Sequence, residues 1–158
     1  MSSRFKFRIK KTPDKMKNKI REMKKITNSE SKVRVGLPKN SNPYPDGTSV
    51  IMVGAVHEFG SDARNIPERS FLRSTVHQNR NEYKAFIRSL ASAIIKGKLT
   101  ADKALKILGL KVASDVQQKI VEIKHPPNTK GTIASKKSSN PLIDTGHLRQ
   151  SITYEVGK

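Results

Sequence analysis

The chain has 158 residues and a net charge of +19 at pH 7, from 32 Lys and Arg residues against 13 Asp and Glu. This length allows a single domain with a modest aliphatic core, since Trp is absent and only 5% of residues are aromatic. Because there is no Cys, disulfides and thiolate sites are excluded, and the longest apolar run, residues 50–56, is too short to cross a bilayer. The charge favours anionic partners such as nucleic acid, an anionic membrane or acidic protein surfaces.

Residues 1–30 are predicted to form a basic N-terminal arm and helix. Residues 4–10 alternate between apolar and cationic side chains, which is typical of a strand. Thr12 as N-cap and Pro13 at the first helical position then predict the start of a helix. Three apolar residues at helical spacing predict one narrow buried stripe on it: Met16, Ile20 and Met23. Its cations are the candidates for contact with a polyanion or a partner: Lys15, Lys17, Lys19, Arg21, Lys24 and Lys25.

Residues 31–158 are predicted to form an α+β domain around a small β-sheet. Residues 32–37 and 151–156 alternate as strands do, and they predict an antiparallel or mixed sheet that residues 4–10 could extend. In the second strand, Ile152 and Tyr154 are expected on one face of the sheet.

Two main helices are predicted to pack on this sheet. Apolar residues recur at helical spacing from Tyr83 to Ile94, and Gly97 is placed to end that helix. Thr100 is the predicted N-cap of the second helix, which has one apolar side: Leu105, Leu108, Val112, Val116, Ile120 and Ile123. Gly109 inside this helix costs about 1 kcal/mol relative to Ala, which is tolerable if a neighbour packs closely there.

Residues 50–59 are ambiguous from their pattern alone. Their β-branched content favours a strand, whereas Ser49 as N-cap and Gly60 just past the end favour a short helix. Three polar segments are predicted to be long loops: residues 38–49, 60–70 and 126–141.

The side chains that support catalysis form no recognisable pattern in this chain. His57 and Glu58 begin a zinc-protease motif, but the second His is missing because residue 61 is Ser. The four His residues lack metal-ligand spacing, and neither a G-x-S-x-G nucleophile turn nor a glycine-rich phosphate loop is present. We therefore expect no enzymatic activity, no cofactor and no metal.

Three segments, in chain order, resemble one known family. They are "AVHEFGS" at residues 55–61, "IPERSFLRST" at residues 66–75 and "NPLIDTGHLRQSITYEV" at residues 140–156. Together they are similar to the tail-completion or virion-morphogenesis proteins of tailed bacteriophages, a family with lambdoid and Mu-like members. The likeness covers about residues 32–156, with two predicted helices between the second and third segments.

The resemblance implies a structural protein of the virion neck, which completes the tail and joins it to the head connector as part of a ring, expected to be hexameric. The implied partners are the tail terminator, the head–tail connector or adaptor, and other copies of the chain, with no membrane. The implied location is the virion, after assembly in the host cytoplasm. In the family the "EFG" segment closes a short helix, which favours a helix at residues 50–59.

The residues of the three segments are expected mainly to maintain the fold: Glu58, Phe59, Gly60, Pro67, Phe71, Leu72, Leu142, Asp144, Gly146 and Leu148. Asp144 is expected to cap a short helical turn, Gly146 to permit a conformation that a Cβ would block, and Leu148 to enter the core. The loop after Gly60 is expected to be held against the long helix by three apolar residues: Pro67, Phe71 and Leu72.

The loops at residues 58–73 and 126–140 are expected to form interfaces with neighbouring subunits. Their cations are the candidate contacts: Arg64, Arg69, Arg73, Lys130, Lys136 and Lys137. A second hypothesis is a basic nucleic-acid-binding accessory protein that grips phosphates through its N-terminal helix and residues 126–141, with salt-sensitive binding. Since copies in a ring would bring cationic faces together, acidic neck proteins are the favoured contact of the basic arm, with non-specific contact to packaged DNA as the alternative.

Overall fold

The computed structural model describes residues 14–27, 32–136 and 138–157. Within these residues the fold is α+β, with helices packed around a two-stranded antiparallel sheet, as the sequence predicts. The helices and strands are α1 Asp14–Thr27, β1 Lys32–Gly36, α2 Val50–Phe59, α3 Leu72–Gln78, α4 Arg80–Ile95, α5 Ala101–Glu122, α6 Lys130–Lys136, α7 His147–Ser151 and β2 Thr153–Gly157.

The two predicted strands pair with each other along their whole length. Lys32 lies opposite Gly157, and Gly36 lies opposite Thr153. A strand near the start of the described residues therefore pairs with the strand at their end. Alternate residues are exposed, and α5 packs against both strands. The predicted strand at residues 4–10 lies outside the described residues.

The two main helices form where the sequence predicts them. The Thr100 hydroxyl accepts a hydrogen bond from the Lys103 N–H at 3.4 Å, and Gly97 follows α4 with a φ of +71°. The buried side of α5 is not the predicted one throughout, because its first half turns small residues inward and leaves Leu105 and Leu108 half-buried. The buried residues of α5 are Ala101, Ala104, Gly109, Ala113, Val116 and Ile120.

Gly109 has the close neighbour that a glycine inside a helix calls for. The ring of Tyr154 on β2 lies directly over it, and a Cβ at Gly109 would be 2.6 Å from Tyr154 Cγ. Since real Cβ atoms do not approach carbon that closely, the packing of α5 on the sheet depends on the missing side chain.

The ambiguous segment, residues 50–59, is a helix. The Ser49 hydroxyl accepts a hydrogen bond from the Met52 N–H at 3.4 Å, and Gly60 ends the helix with a φ of +76°. On its inner side, Gly54 lies against the Leu37 side chain, and Val50 is fully buried.

Two of the three predicted loops contain regular structure. Residues 60–70 include the 3₁₀ turn Asp62–Arg64, and residues 126–141 include α6, so the prediction of one long loop there was wrong. The Thr129 hydroxyl accepts a hydrogen bond from the Thr132 N–H at 3.2 Å, which caps the start of α6. Residues 38–49 have no helix or strand, as predicted.

Helix α1 lies against α4 and α5, but its predicted buried stripe is wrong. Met16 is 53% exposed and Ile20 is 46% exposed, because the contacts of α1 with the two helices leave this side uncovered. The predicted capping residues, Thr12 and Pro13, and the side chain of Met23 lie outside the described residues.

Candidate functional site

Two of the three segments that carry the family resemblance, residues 66–75 and 140–156, meet in one hydrophobic cluster together with the start of α2. Val50 from α2, Phe71 just before α3, Leu148 from α7 and Ile152 before β2 are all buried in the same hydrophobic core. Helix α5 completes this core with Ala113, Val116 and Ile120. Residues far apart in the chain therefore form one packed unit, on which the surface of residues 50–73 is built.

Glu58, near the end of α2, is the polar centre of this unit. It is only 3% exposed, and its carboxylate accepts hydrogen bonds from the Ser70 hydroxyl and the Phe71 and Leu72 N–H groups at 2.8 Å, and from the Arg73 N–H at 2.9 Å. Those N–H groups belong to the start of α3, whose N-cap residue, Phe71, has no side chain that could cap it. Glu58 therefore caps α3 from another helix, where the helix dipole also favours an anion.

Arg73 joins this arrangement and connects it to the surface. Its Nε donates to Glu58 Oε1 at 3.0 Å, and its Nη2 donates to the Glu58 carbonyl and to Glu68 Oε1, both at 2.8 Å. The guanidinium also lies 4.7 Å from the ring centre of Phe59. We call this set the Glu58 clasp: Glu58, Ser70, Phe71, Leu72 and Arg73.

Two opposing effects set the protonation of Glu58. Burial acts to raise the pKa of its carboxyl, but the hydrogen bonds from the Leu72 and Arg73 N–H groups, the Ser70 hydroxyl and the Phe71 N–H outweigh burial, so the pKa lies below its usual value. The clasp is therefore anionic at its centre at neutral pH.

Gly60 has a conformation and a contact that both require glycine. Its φ is +76°, and a Cβ there would lie 3.0 Å from the Glu68 N and 3.2 Å from the Ile66 carbonyl oxygen. Ser61 and Ile66 pair across this loop through two backbone hydrogen bonds of 2.8 and 2.9 Å. In the "EFG" segment, therefore, Glu58 caps helix α3, Phe59 exposes its ring and Gly60 forms the tight turn. Pro67, expected to hold the loop against the long helix, is exposed instead.

Arg69 was predicted at an interface, but it lies inside the protein. It is 5% exposed; its Nε donates to the Pro126 carbonyl at 2.7 Å, and its Nη2 donates to the Pro127 carbonyl at 3.0 Å and to Asn128 Oδ1 at 3.3 Å. Burial lowers the pKa of its guanidinium. Arg69 therefore fastens the 126–128 segment to the clasp region and is not part of the surface.

A cavity of about 200 Å³ lies between α2 and the loop before α7. It is lined in part by His57, Lys136, Asp144 and His147. Burial, and then the nearby cations Arg69 and Lys136, lower the pKa of His57 to about 4, so its ring is neutral at pH 7. Lys136 is half-buried and donates to the Pro141 carbonyl at 3.2 Å, and burial lowers its pKa as well.

The third segment turns into α7 without the predicted carboxylate cap. Asp144 is exposed, and the N-cap position of α7 is Gly146, with a φ of +82°. The His147 N–H meets the Thr145 hydroxyl at 3.4 Å, so the capping prediction for Asp144 was wrong. Leu142 and Leu148 are buried as expected.

Two polar residues of the unit were missed by sequence reasoning. The buried Asn140 side chain donates to the Val121 carbonyl and accepts from the Leu142 N–H, both at 3.0 Å. Gln117 on α5 donates to the Ile152 carbonyl at 2.9 Å. The signal for Asn140 was its position before Pro141, where an Asn side chain often bonds to the backbone two residues on.

The remaining predicted cations are distributed over the surface. Arg64 and Lys130 are exposed, and Lys17 pairs with Asp14 at 3.4 Å on α1. Arg21 and Lys24 are also exposed. Four predicted contacts lie outside what the structure describes, as side chains or whole residues: Lys15, Lys19, Lys25 and Lys137.

Helix α2 presents an apolar face beside the clasp. Ile51, Met52, Ala55 and Phe59 lie within about 100° around the helix, and all four are exposed, Met52 by 55% and Phe59 by 64%. Sequence reasoning assigned Phe59 to fold maintenance, but apart from the Arg73 guanidinium its ring faces outward.

No protein-family model, curated protein or solved structure matches the chain. Among the described residues, no three His, Asp or Glu side chains are grouped so that they could hold a metal ion. No helix in that part of the chain is both long and apolar enough to cross a membrane.

Proposed function

We propose that the chain is a structural protein of the bacteriophage neck, which completes the tail and joins it to the head connector as one subunit of a ring. The proposal starts from the resemblance of three ordered segments to the tail-completion proteins. In this role the protein acts through its shape and its contacts and catalyses no reaction. Its expected partners are the tail terminator, the head–tail connector and other copies of the chain.

The observation that carries the proposal is how the reactive side chains of these segments are used. Glu58 accepts hydrogen bonds from four residues, Arg69 is enclosed by carbonyls, and Arg73 is bonded to two carboxylates. Groups engaged in this way hold backbone in place and are not available to a substrate. What they support is an exposed apolar face on α2 and the 61–68 loop, which suits contact with another protein.

The test is genetic and structural. In a phage that encodes this chain, deleting its gene should leave filled heads and complete tails that fail to join, and supplying the protein in trans should restore joined particles. Normal, infectious particles without the protein would contradict the proposal. A variant that folds normally but carries Phe59→Glu should complement poorly, whereas Val76→Glu, at an exposed apolar position on α3, serves as the matched control.

The second candidate, a nucleic-acid-binding accessory protein, is favoured by one observation: α1 holds six Lys and Arg against two acids. Of the cations in the two segments predicted for such binding, Lys136 is bonded within the protein, to the Pro141 carbonyl. A mobility-shift assay at 50 and 200 mM salt separates the candidates. Weak binding that is lost at the higher salt indicates charge alone, whereas tight, sequence-dependent binding at both indicates a nucleic-acid function.

A further inference from the structure

Helix α4 carries a row of exposed cations that the rest of the protein leaves unpaired. Arg80, Lys84 and Arg88 are all exposed, and none of them pairs with a carboxylate within the part of the chain that the structure describes. Successive members are four residues apart, so they lie about 6 Å apart along the helix and within about 80° around it. We call this the α4 row: Arg80, Lys84 and Arg88.

Two isoleucines lie on the same side of α4 as the row. Ile87 is 48% exposed and Ile95 is 47% exposed, and with the row they lie within about 100° around the helix. The acid of α4, Glu82, lies on another side, where it accepts from Lys111 of α5 at 2.9 Å. We call the exposed side the α4 face: Arg80, Lys84, Ile87, Arg88 and Ile95.

The charges around the α4 face do not neutralise it. Helices α1, α3 and α5 pack against α4. Helix α3 contains no acid, and α1 contains six Lys and Arg against two acids. Each acid of α5 is accompanied by a Lys: Asp102 pairs with Lys106, Asp115 pairs with Lys111, and Glu122 lines a recess together with Lys119. The turn after α4 adds the exposed Lys96 and Lys98, so residues 80–98 hold five Lys and Arg against one acid.

From this face we infer that α4 binds an acidic helix of another protein. A helix lying alongside α4 repeats its side chains at the same step of about 6 Å. Acids at every fourth position therefore meet the three cations, and apolar residues beside them cover the two isoleucines. Duplex DNA would supply phosphates but nothing to cover the isoleucines, and a helix that binds a lipid surface has a broader apolar face.

A second copy of the chain does not supply such a helix. Among the described helices, none has two acids three or four residues apart: α1 has Asp14 and Glu22, α2 has Glu58, α4 has Glu82, and α5 has Asp102, Asp115 and Glu122. A second copy would also bring its own excess of cations to the contact. The partner is therefore a different protein with an acidic surface. The inference goes beyond the neck function proposed above and does not depend on it.

Fluorescence anisotropy with two labelled synthetic peptides tests the inference. One peptide is a helix with Glu at every fourth position and Leu beside each Glu on the same side, and the other has the same composition in scrambled order. Purified full-length protein should bind the patterned peptide at least tenfold more tightly than the scrambled one at about 200 mM salt, because net charge alone does not distinguish the two.

Two triple variants locate the binding on the protein. Replacing the α4 row by Arg80→Gln, Lys84→Gln and Arg88→Gln should weaken binding of the patterned peptide at least tenfold. Lys39→Gln, Lys124→Gln and Lys130→Gln remove the same charge at exposed positions elsewhere, and together they should weaken it less than twofold. Urea denaturation should give the parental midpoint for both triple variants, since every side chain that they change is exposed.

The isoleucines and duplex DNA supply the remaining arms of this test. Ile87→Ser with Ile95→Ser should weaken binding of the patterned peptide severalfold. Equal losses in the two triple variants, or equal binding of the two peptides, would overturn the inference. Loss of random-sequence duplex binding in the α4 row variant with unchanged peptide binding would also overturn it, by making the α4 face a nucleic-acid surface. If the inference fails while deletion of the gene still leaves heads and tails unjoined, only this contact is wrong and the neck proposal stands.

Discussion

Helix α1 and the Glu58 clasp show two ways in which this chain uses charge. On α1 the charged side chains are exposed, and the ion pair between Lys17 and Asp14 spans three residues of one helix. In the clasp a buried carboxylate binds groups that are 12 to 15 residues away in the chain, and it fixes the start of another helix. The difference indicates that the clasp determines structure and that α1 determines what the surface attracts.

The largest effect is expected from Glu58→Ala. The change leaves three backbone N–H groups, the Ser70 hydroxyl and the Arg73 Nε without their acceptor, and we expect it to lower the free energy of unfolding by about 3–5 kcal/mol. Urea denaturation measures the loss. Glu68→Ala removes only the exposed pairing with Arg73 and should cost less than about 1 kcal/mol. Equal losses in the two variants would mean that Glu58 does not hold α3 in place.

Acid should lower the stability of the fold through His57 and Glu58. The folded-state pKa of His57 is lowered from 6.5 to about 4, so the unfolded chain binds a proton that the folded chain does not, and stability falls as the pH drops from 6.5 towards 4. The loss from His57 is on the order of 2–3 kcal/mol. Glu58, whose pKa is also lowered, adds a further loss as the pH falls below its usual value of 4.5.

Denaturation at pH 7.5, 6.0, 5.0 and 4.5 measures this dependence. His57→Phe, which cannot titrate, should flatten the decline between pH 6.5 and 4, and Glu58→Gln should leave the decline between pH 6.5 and 5.0 unchanged. A His57→Phe profile that overlays the parent profile would rule out His57 as the cause.

A smaller effect is expected where α5 meets the sheet. Gly109→Ala places a Cβ against the Tyr154 ring, and the overpacking cost of about 1–3 kcal/mol exceeds the gain in helix propensity of about 1 kcal/mol. Gly131→Ala is the control, since a Cβ there meets nothing within 4 Å, and it should be neutral or slightly stabilising. Tyr154→Val should restore stability in the Gly109→Ala background. Thermal unfolding distinguishes the three, and a stabilised Gly109→Ala variant would contradict the packing described.

The smallest effect is expected on α1. Lys17→Ala removes an exposed pair between neighbouring turns and should change the free energy of unfolding by less than about 0.5 kcal/mol. A loss above 1 kcal/mol in urea denaturation would show that α1 shares in the structural role assigned to the clasp.

The same contrast explains what could be predicted from the sequence. The two strands and helices α4 and α5 followed from local spacing and caps, as at Gly97 and Thr100, because those signals act within a few residues. Residues 50–59 were ambiguous from local pattern, and only the family resemblance favoured a helix there; α3 and α6 were not predicted. The roles of Arg69 and Glu58 depend on partners that folding brings together, so no local pattern reveals them. Asp144 shows the opposite case, a local signal that misled. Its residue type predicts an N-cap, but the chain has a left-handed conformation at Gly146, and Gly146 occupies the N-cap position of α7 instead.

The exposure of the apolar residues on α1 could not be predicted from the sequence either. The period of Met16 and Ile20 predicts a buried stripe, because a single sequence does not distinguish a core contact from a contact with another molecule. The family resemblance supplied the function proposed here, and the structure supplied the surfaces through which it would act.

The neck proposal is tested most directly by a cryo-EM reconstruction of the particles of a phage that encodes this chain. We expect density for the chain as a ring between the head connector and the end of the tail tube. Finished particles that lack the chain, or that hold it away from the head–tail junction, would contradict the proposal.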